Sequence, residues 1–213
     1  MHSKSAIDYS VYFVADSTVR GNRTLPELVE MALSGGATII QLRHKTSSSR
    51  EFLNDAVAIK RICNAYGVPF IVNDRIDIAL AVDADGVHIG QDDIPLSTAR
   101  RLTGDKKIIG VSASCADEAI LAEKEGADYI GAGAVFATLS KPDAGKPIGF
   151  DGLSEIARAV NIPVVAIGGI NRSNARQCFN AGAMGVAVIS AISLADNPKI
   201  SAMELKKSIV QSG

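Results

Sequence analysis

The densest run of potential chemistry is Asn73-Asp74-Arg75-Ile76-Asp77, followed after a short interval by His88-Ile89-Gly90-Gln91-Asp92-Asp93. Each run closes an apolar stretch, Ile71-Val72 in the first case and Val87-His88-Ile89 in the second, and so reads as a buried strand that ends in carboxylates. Two such strands joined by a short helical crossover lie side by side and parallel, which brings Asp74 and one of Asp92 or Asp93 out at the same sheet edge. Carboxylate oxygens in that position suit a hard cation, the arrangement that a magnesium-bound diphosphate needs. Taken singly, each residue reads better as a strand end or a helix cap. Their recurrence on successive strands favours a site.

A second group points to the same kind of ligand. Gln41, Arg43 and Lys45 occupy alternate positions at the end of another apolar run, and an extended backbone sends alternate side chains to one side. Two cations and an amide suit a phosphate or diphosphate, and a solvated basic loop is an equal reading of this segment alone. Ser112 and Ser114 follow a further apolar run, where their hydroxyls either meet a substrate or cap the next helix. Thr138, Ser140 and Lys141 bring two hydroxyls and a cation in the long segment 132–150, and Gly145 and Pro147 would delimit a lid near 137–147. Gly168 and Gly169 let backbone amides approach an anion, and Ile189 and Ser190 end the last apolar run.

The elements that must carry these residues alternate in type from end to end. Apolar runs near 11–15, 38–42, 69–72, 86–89, 107–111, 129–131, 164–167 and 185–189 read as strands. Helical patterns lie between them near 25–34, 50–66, 96–102, 116–125, 152–159, 173–181 and 202–210. In 50–66, for example, Phe52, Ala56, Ile59 and Cys63 recur three or four apart and mark one apolar face. Strands that are apolar throughout belong to a parallel sheet covered by helices. Eight βα units in 213 residues predict an α/β fold, a (β/α)8 TIM barrel forming a single domain over 1–213, ahead of an open doubly wound sheet. In such a barrel, chemistry sits at the carboxyl ends of the strands, and phosphate sits after strands seven and eight. The pairs Gly36-Ala37, Gly126-Ala127 and Gly182-Ala183 read as helix stops without a chemical role.

Composition removes other classes. Lys plus Arg (22) balances Asp plus Glu (23), which leaves no basic field for nucleic acid. No apolar run is long enough to span a bilayer, and the first residues lead into a polar segment, so a cytoplasmic protein without membrane partners is expected. Cys63, Cys115 and Cys178 are odd in number and widely spaced, against a disulfide framework or zinc site, and Cys63 and Cys178 read as small buried residues within helices. His88, flanked by Val87 and Ile89, reads as a packed, hydrogen-bonded histidine, and His44 should point away from Arg43 and Lys45. Neither is assigned to catalysis. No Ser-His-Asp pairing is evident at the strand ends, and the sequence has no H-E-x-x-H or Walker A pattern.

In order along the chain, the segments 41–45, 73–79, 86–93, that around Ser112, 136–141, 167–170 and 188–192 resemble the thiamine phosphate synthase family. The resemblance covers nearly the whole chain. It implies a transferase of thiamine biosynthesis that joins a hydroxymethylpyrimidine diphosphate to a thiazole phosphate and releases pyrophosphate, with Mg²⁺ as cofactor. It implies that Asp74 and Asp93 are metal ligands, and that Gln41, Arg43, Lys45, Asn73, Ser112 and Lys141 hold the pyrimidine diphosphate. Thr138, Ser140, Gly169, Ile189 and Ser190 would hold the thiazole phosphate. Arg43, Lys45 and Lys141, with the metal, would stabilise the leaving diphosphate. Two positions depart from the family pattern and bear on substrate preference more than on reaction class: His44 stands where an acidic residue is frequent, and Ser140 where a second threonine is common. Two alternatives stand beside this reading, a thiazole tautomerase of the related barrel group and a non-catalytic thiazole-phosphate sensor. Formation of a homodimer is left open.

Overall fold

A computed structural model, which describes residues 7–140 and 145–210, shows a closed barrel of eight parallel strands in sequence order, as expected. The strands are β1 (Val11–Asp16), β2 (Ile39–Arg43), β3 (Phe70–Asn73), β4 (Gly86–Ile89), β5 (Ile108–Ala113), β6 (Tyr129–Ala132), β7 (Val164–Ile167) and β8 (Gly185–Val188). Between and after them run α1 (Leu25–Ser34), α2 (Ser49–Tyr66), α3 (Ile76–Ala81), α4 (Leu96–Thr103) and α5 (Ala116–Lys124). The outer layer continues with α6 (Gly149–Ala159), α7 (Ala175–Asn180), α8 (Ser190–Ser193) and α9 (Pro198–Val210). Strand and helix bounds fall within a few residues of those expected from the sequence. The short α8 was not expected.

Local chemistry explains where the longer helices begin. Thr24 and Glu27 form a capping box at α1, and Ser48 and Glu51 form one at α2, so the first free amides of both helices are satisfied by side chains. The helix stops are glycines in conformations that other residues rarely adopt, with φ of 97° at Gly36, 96° at Gly126 and 100° at Gly182.

The strands bury both faces, and the alternation of their side chains divides the core in two. Val11, Phe13 and Ala15 of β1 pack outward against the helices, within a layer that also holds Phe52 and Ile59 of α2. Tyr12 and Val14 belong instead to the barrel interior, with Ile39, Ile71, Ile108, Tyr129 and Val165. Following the inward positions toward the carboxyl ends of the strands, the chain passes from these apolar residues to polar ones. They are Asp16 on β1, Gln41 and Arg43 on β2, Asn73 on β3, His88 on β4 and Ser112 on β5. The interior is therefore a packed base beneath a polar mouth.

The opposite end of the barrel is tied by charged clamps. Asp85 Oδ2 accepts hydrogen bonds from the Phe70 amide at 3.0 Å and from Lys60 Nζ at 2.7 Å. Asp128 Oδ2 accepts from the Ile109 amide at 2.8 Å and from Arg100 at 2.7 Å. Cys63 and Cys178 are buried free thiols on α2 and α7, as expected. No helix among the described residues is long and apolar enough to cross a membrane.

Candidate active site

Two adjoining cavities open at the polar mouth and share Arg43, Asn73, His88, Ser112 and Gly133 as common wall. The first has about 970 Å³ of empty space, part of it open to solvent, and is mainly apolar at its base, where Tyr12, Val14 and Val165 line it. Its rim brings together Thr138, Ser140, Gly168, Gly169, Ile189 and Ser190. The second, with about 1220 Å³ of partly open space, is charged and contains Lys45, Asp74, Asp92, Asp93 and Lys146.

In the charged chamber, β3 ends at Asn73 and Asp74 takes a φ of 60°, a left-handed conformation uncommon for a non-glycine residue but tolerated by aspartate. This turn aims its carboxylate at the mouth, where Asp74 Oδ2 pairs with Lys45 Nζ at 2.8 Å. Asp93 is anchored by the Gly90 amide, which donates to Asp93 Oδ2 at 2.7 Å. Burial, and then the Asp74 carboxylate beside it, raises the Asp93 carboxyl above its usual range, against the opposing pull of the Gly90 amide and Lys45. A carboxylate whose charge is disfavoured by the carboxylate beside it suits a divalent cation, which would relieve the repulsion. Magnesium uses one or two protein carboxylates and completes its shell with phosphate oxygens and water. Asp74 and Asp93 are the residues that could hold such an ion, and among the described residues no group of three or more His, Cys, Asp or Glu converges, so further ligands would have to come from substrate and solvent.

On β2, Gln41 and Arg43 are buried and point into the barrel, and Lys45 continues the same alternation past the strand end. Arg43 does not stand alone. Asp16, fully buried at the end of β1 and directly opposite in register, forms an ion pair with Arg43 Nη1, while the Asp16 Oδ1 atom accepts from the Thr18 amide at 2.8 Å and the Thr18 hydroxyl at 2.6 Å. Asp16 was not singled out from the sequence. The signal was available, because Asp16 ends β1 as Asn73 and Asp74 end β3, but its partner lies on another strand.

His44 turns away from the mouth, as expected. Its Nε2 lies 3.0 Å from Asp55 Oδ2, its Nδ1 contacts Ser47 Oγ, and its ring packs on Phe52 with centroids 4.7 Å apart. This is a Ser-His-Asp grouping that strand-end reading missed. It fastens the loop after β2 to α2 and lies outside both chambers. His88 is hydrogen-bonded within the barrel, to Tyr129 and Ser112, and also lines both cavities. Ser112 spends its hydroxyl on His88 and the mouth rather than on the cap of α5, where Cys115 holds the N-cap position.

The glycines after β7 have positive φ, 101° at Gly168 and 64° at Gly169. They are also closely overlaid by the segment after β6, for the Phe136 amide donates to the Gly168 carbonyl at 3.1 Å. A Cβ on Gly169 would lie 2.7 Å from the Ala137 carbonyl oxygen. Packing thus needs these glycines independently of any ligand. Ser140 is drawn toward the rim by a hydrogen bond from its amide to Thr138 Oγ1 at 3.2 Å. Lys141 and the centre of the expected lid lie outside the described residues.

A family profile described as thiamine monophosphate synthase matches residues 11–192, the whole span from the first strand to α8. The chain belongs to this family. It is 52% identical to the thiamine-phosphate synthase of Ruminiclostridium cellulolyticum over 95% of this chain and 96% of that one. It is 49% identical to the thiamine-phosphate synthase of Chloroflexus aurantiacus over 94% and 92% of the two chains. Among solved structures, the thiamine phosphate pyrophosphorylase of Pyrococcus furiosus superposes with a TM-score of 0.88 and 42% identity, covering 95% of this chain and 96% of that one. The family's barrel and the one described above are the same fold.

Proposed function

We propose that the protein condenses 4-amino-5-hydroxymethyl-2-methylpyrimidine diphosphate with 4-methyl-5-(2-phosphoethyl)thiazole, or its carboxylated form, to give thiamine phosphate and pyrophosphate, with carbon dioxide also released when the thiazole is carboxylated. The observation that carries this reading is the pair of adjoining chambers with a shared wall: one charged, with Lys45, Asp74 and Asp93, the other apolar at its base and rimmed by hydroxyls and glycines. A diphosphate in the first and a phosphorylated heterocycle in the second would meet at Arg43, Asn73 and Ser112. A tautomerase has no use for the charged chamber.

In this reaction the bond from the pyrimidine methylene carbon to the diphosphate oxygen breaks, its electron pair leaving on the diphosphate, and the thiazole nitrogen supplies the pair for the new bond. Negative charge accumulates on the leaving group, and Arg43 and Lys45 are positioned to receive it, the first held by Asp16 and the second by Asp74. Mg²⁺, bound by Asp74 and Asp93, would supply further neutralisation of the diphosphate oxygens. Gln41, Asn73 and Ser112 would orient the pyrimidine, and Thr138, Ser140, Gly168, Gly169, Ile189 and Ser190 the thiazole phosphate. Lys141 remains an expectation of the same reading. No protein nucleophile is needed, so the chain contributes orientation and exclusion of water. Residues 137–147 would act as the lid, a role supported by the 98% exposure of Leu139 and by Lys146 at the charged chamber.

Calorimetry tests the assignment of the charged chamber. The pyrimidine diphosphate should bind tightly with Mg²⁺ and weakly in chelator, and the thiazole phosphate should bind equally in both. Metal-independent binding of the diphosphate would count against it.

A further inference from the structure

Five side chains from five strands form a continuous hydrogen-bond line across the barrel, buried at Gln41, Tyr12 and Tyr129 and half-buried at His88 and Ser112, and three of them, Tyr12, Tyr129 and His88, have no part in the reading above. Gln41 Nε2 donates to Tyr12 Oη at 2.9 Å, and the hydroxyls of Tyr12 and Tyr129 are 2.7 Å apart. His88 Nδ1 lies 2.9 Å from Tyr129 Oη, and His88 Nε2 lies 2.9 Å from Ser112 Oγ. The strands leave room for this line. Gly110 stands in register between His88 and Tyr129, and a Cβ there would lie 2.0 Å from Tyr129 Cζ. A Cβ on Gly131 would lie 2.9 Å from His88 Cε1.

Counting protons gives the line a direction. An amide nitrogen only donates. Tyr12 Oη therefore accepts from Gln41, and its own proton goes to its other partner, Tyr129. Tyr129 then accepts from Tyr12 and donates to His88 Nδ1. An imidazole nitrogen that accepts carries no proton, so the neutral ring holds its proton on Nε2 and donates to Ser112 Oγ. The Ser112 hydroxyl proton is left for the cavity that Ser112 lines. The reverse direction would leave the Tyr12 proton without an acceptor at a fully buried position. Burial raises both phenols above their usual value, which keeps both protonated, as the line requires.

We propose that this one-way line is a positioning and specificity device that fixes His88 as its neutral Nε2–H tautomer and Ser112 as a hydrogen-bond donor to the ligand. At the far end, Gln41 spends its amide nitrogen on Tyr12 and offers its carbonyl oxygen to a ligand N–H. A donor on one wall and an acceptor on another would meet the ring nitrogen and the amino group of the aminopyrimidine named in the proposed function. Tyr12, Tyr129 and His88 are the positioning residues. The ligand class rests on the proposed assignment of Gln41 and Ser112 to the pyrimidine. The direction of the line does not.

The experiment is nitrogen-15 NMR of the full chain labelled at histidine, with the signals of the other two histidines identified by His2→Gln and His44→Gln. At neutral pH, His88 should show a pyridine-type Nδ1 and a pyrrole-type, protonated Nε2. A protonated Nδ1, or an imidazolium, would overturn the proposal. Tyr129→Phe keeps the ring and removes the proton that Nδ1 accepts. It should mix the His88 tautomers and raise KM for the pyrimidine diphosphate on the order of 10-fold, with KM for the thiazole phosphate nearly unchanged. Unchanged tautomer and unchanged KM would overturn the device even if the melting temperature fell. If this variant does not fold, the tautomer of the unaltered protein decides alone. An Nε2–H ring in a protein that binds no pyrimidine diphosphate would overturn the ligand class and the functional reading while leaving the direction of the line intact.

Discussion

Asp93 is fixed by the Gly90 amide yet pushed toward protonation by burial and by Asp74, and both facts bear on what its removal does. Asp93→Asn keeps the size and removes the charge. It should weaken the Mg²⁺ dependence and lower kcat on the order of 10²–10³-fold, the usual loss for a transition-state electrostatic contact. In metal-free protein the sign of its stability effect follows from the raised pKa. A carboxyl whose folded value is raised favours the fold fully below its ordinary value of about 3.9 and loses that contribution as pH rises through the folded value. The melting temperature of Asp93→Asn in chelator should therefore exceed the parent's at neutral pH, and the difference should vanish in acid. A variant less stable than its parent at neutral pH would make Asp93 a structural cap. Asp16 behaves oppositely. Asp16→Asn breaks a buried ion pair, so stability should fall by about 3 kcal/mol, read from urea unfolding, and KM for the diphosphate should rise as Arg43 loses its anchor. Normal kinetics in the destabilised variant would leave Asp16 with a structural role alone. Of these two aspartates, only Asp93 is singled out by the sequence, because it stands in a run of polar residues, whereas the strand-end position of Asp16 acquires its meaning from Arg43, which lies 27 positions away.

At the scale of elements, the alternation on β2 was legible because an extended strand enforces it: Gln41 and Arg43 do share the inward face. The inward face of β5 and β6 was not legible. Gly110 and Gly131 carry no chemistry, and their meaning is the space they leave for Tyr129 and His88. Tyr12 and Tyr129 are 117 positions apart, and nothing local announces their contact. The four-residue α8 is likewise too short to show a helical period. Gly110→Ala tests the space directly. A methyl group there has no room beside the Tyr129 ring, so differential scanning calorimetry should report a loss of about 1–3 kcal/mol, typical of overpacking. Unchanged stability would mean that the ring moves freely and that the interior line is not rigid.

For the whole molecule, the barrel was readable because eight apolar runs alternate with helical periods, and because strands covered on both faces have few polar positions except at their ends. The division of the mouth into two chambers was not readable, since it depends on how the segment after β6 lies over Gly168 and Gly169. That segment leads into the proposed lid. Limited proteolysis after Lys146 should slow when Mg²⁺ and a diphosphate ligand are both present, and each alone should protect less. Equal cleavage under all conditions would contradict closure. The proposed reaction requires the two chambers to work on two substrates at once. Incubating the protein with the pyrimidine diphosphate, the thiazole phosphate and Mg²⁺, and measuring both products by chromatography, tests this most directly. Thiamine phosphate and pyrophosphate should appear in equal amounts and only with both substrates present, whereas a folded protein that forms neither would contradict it.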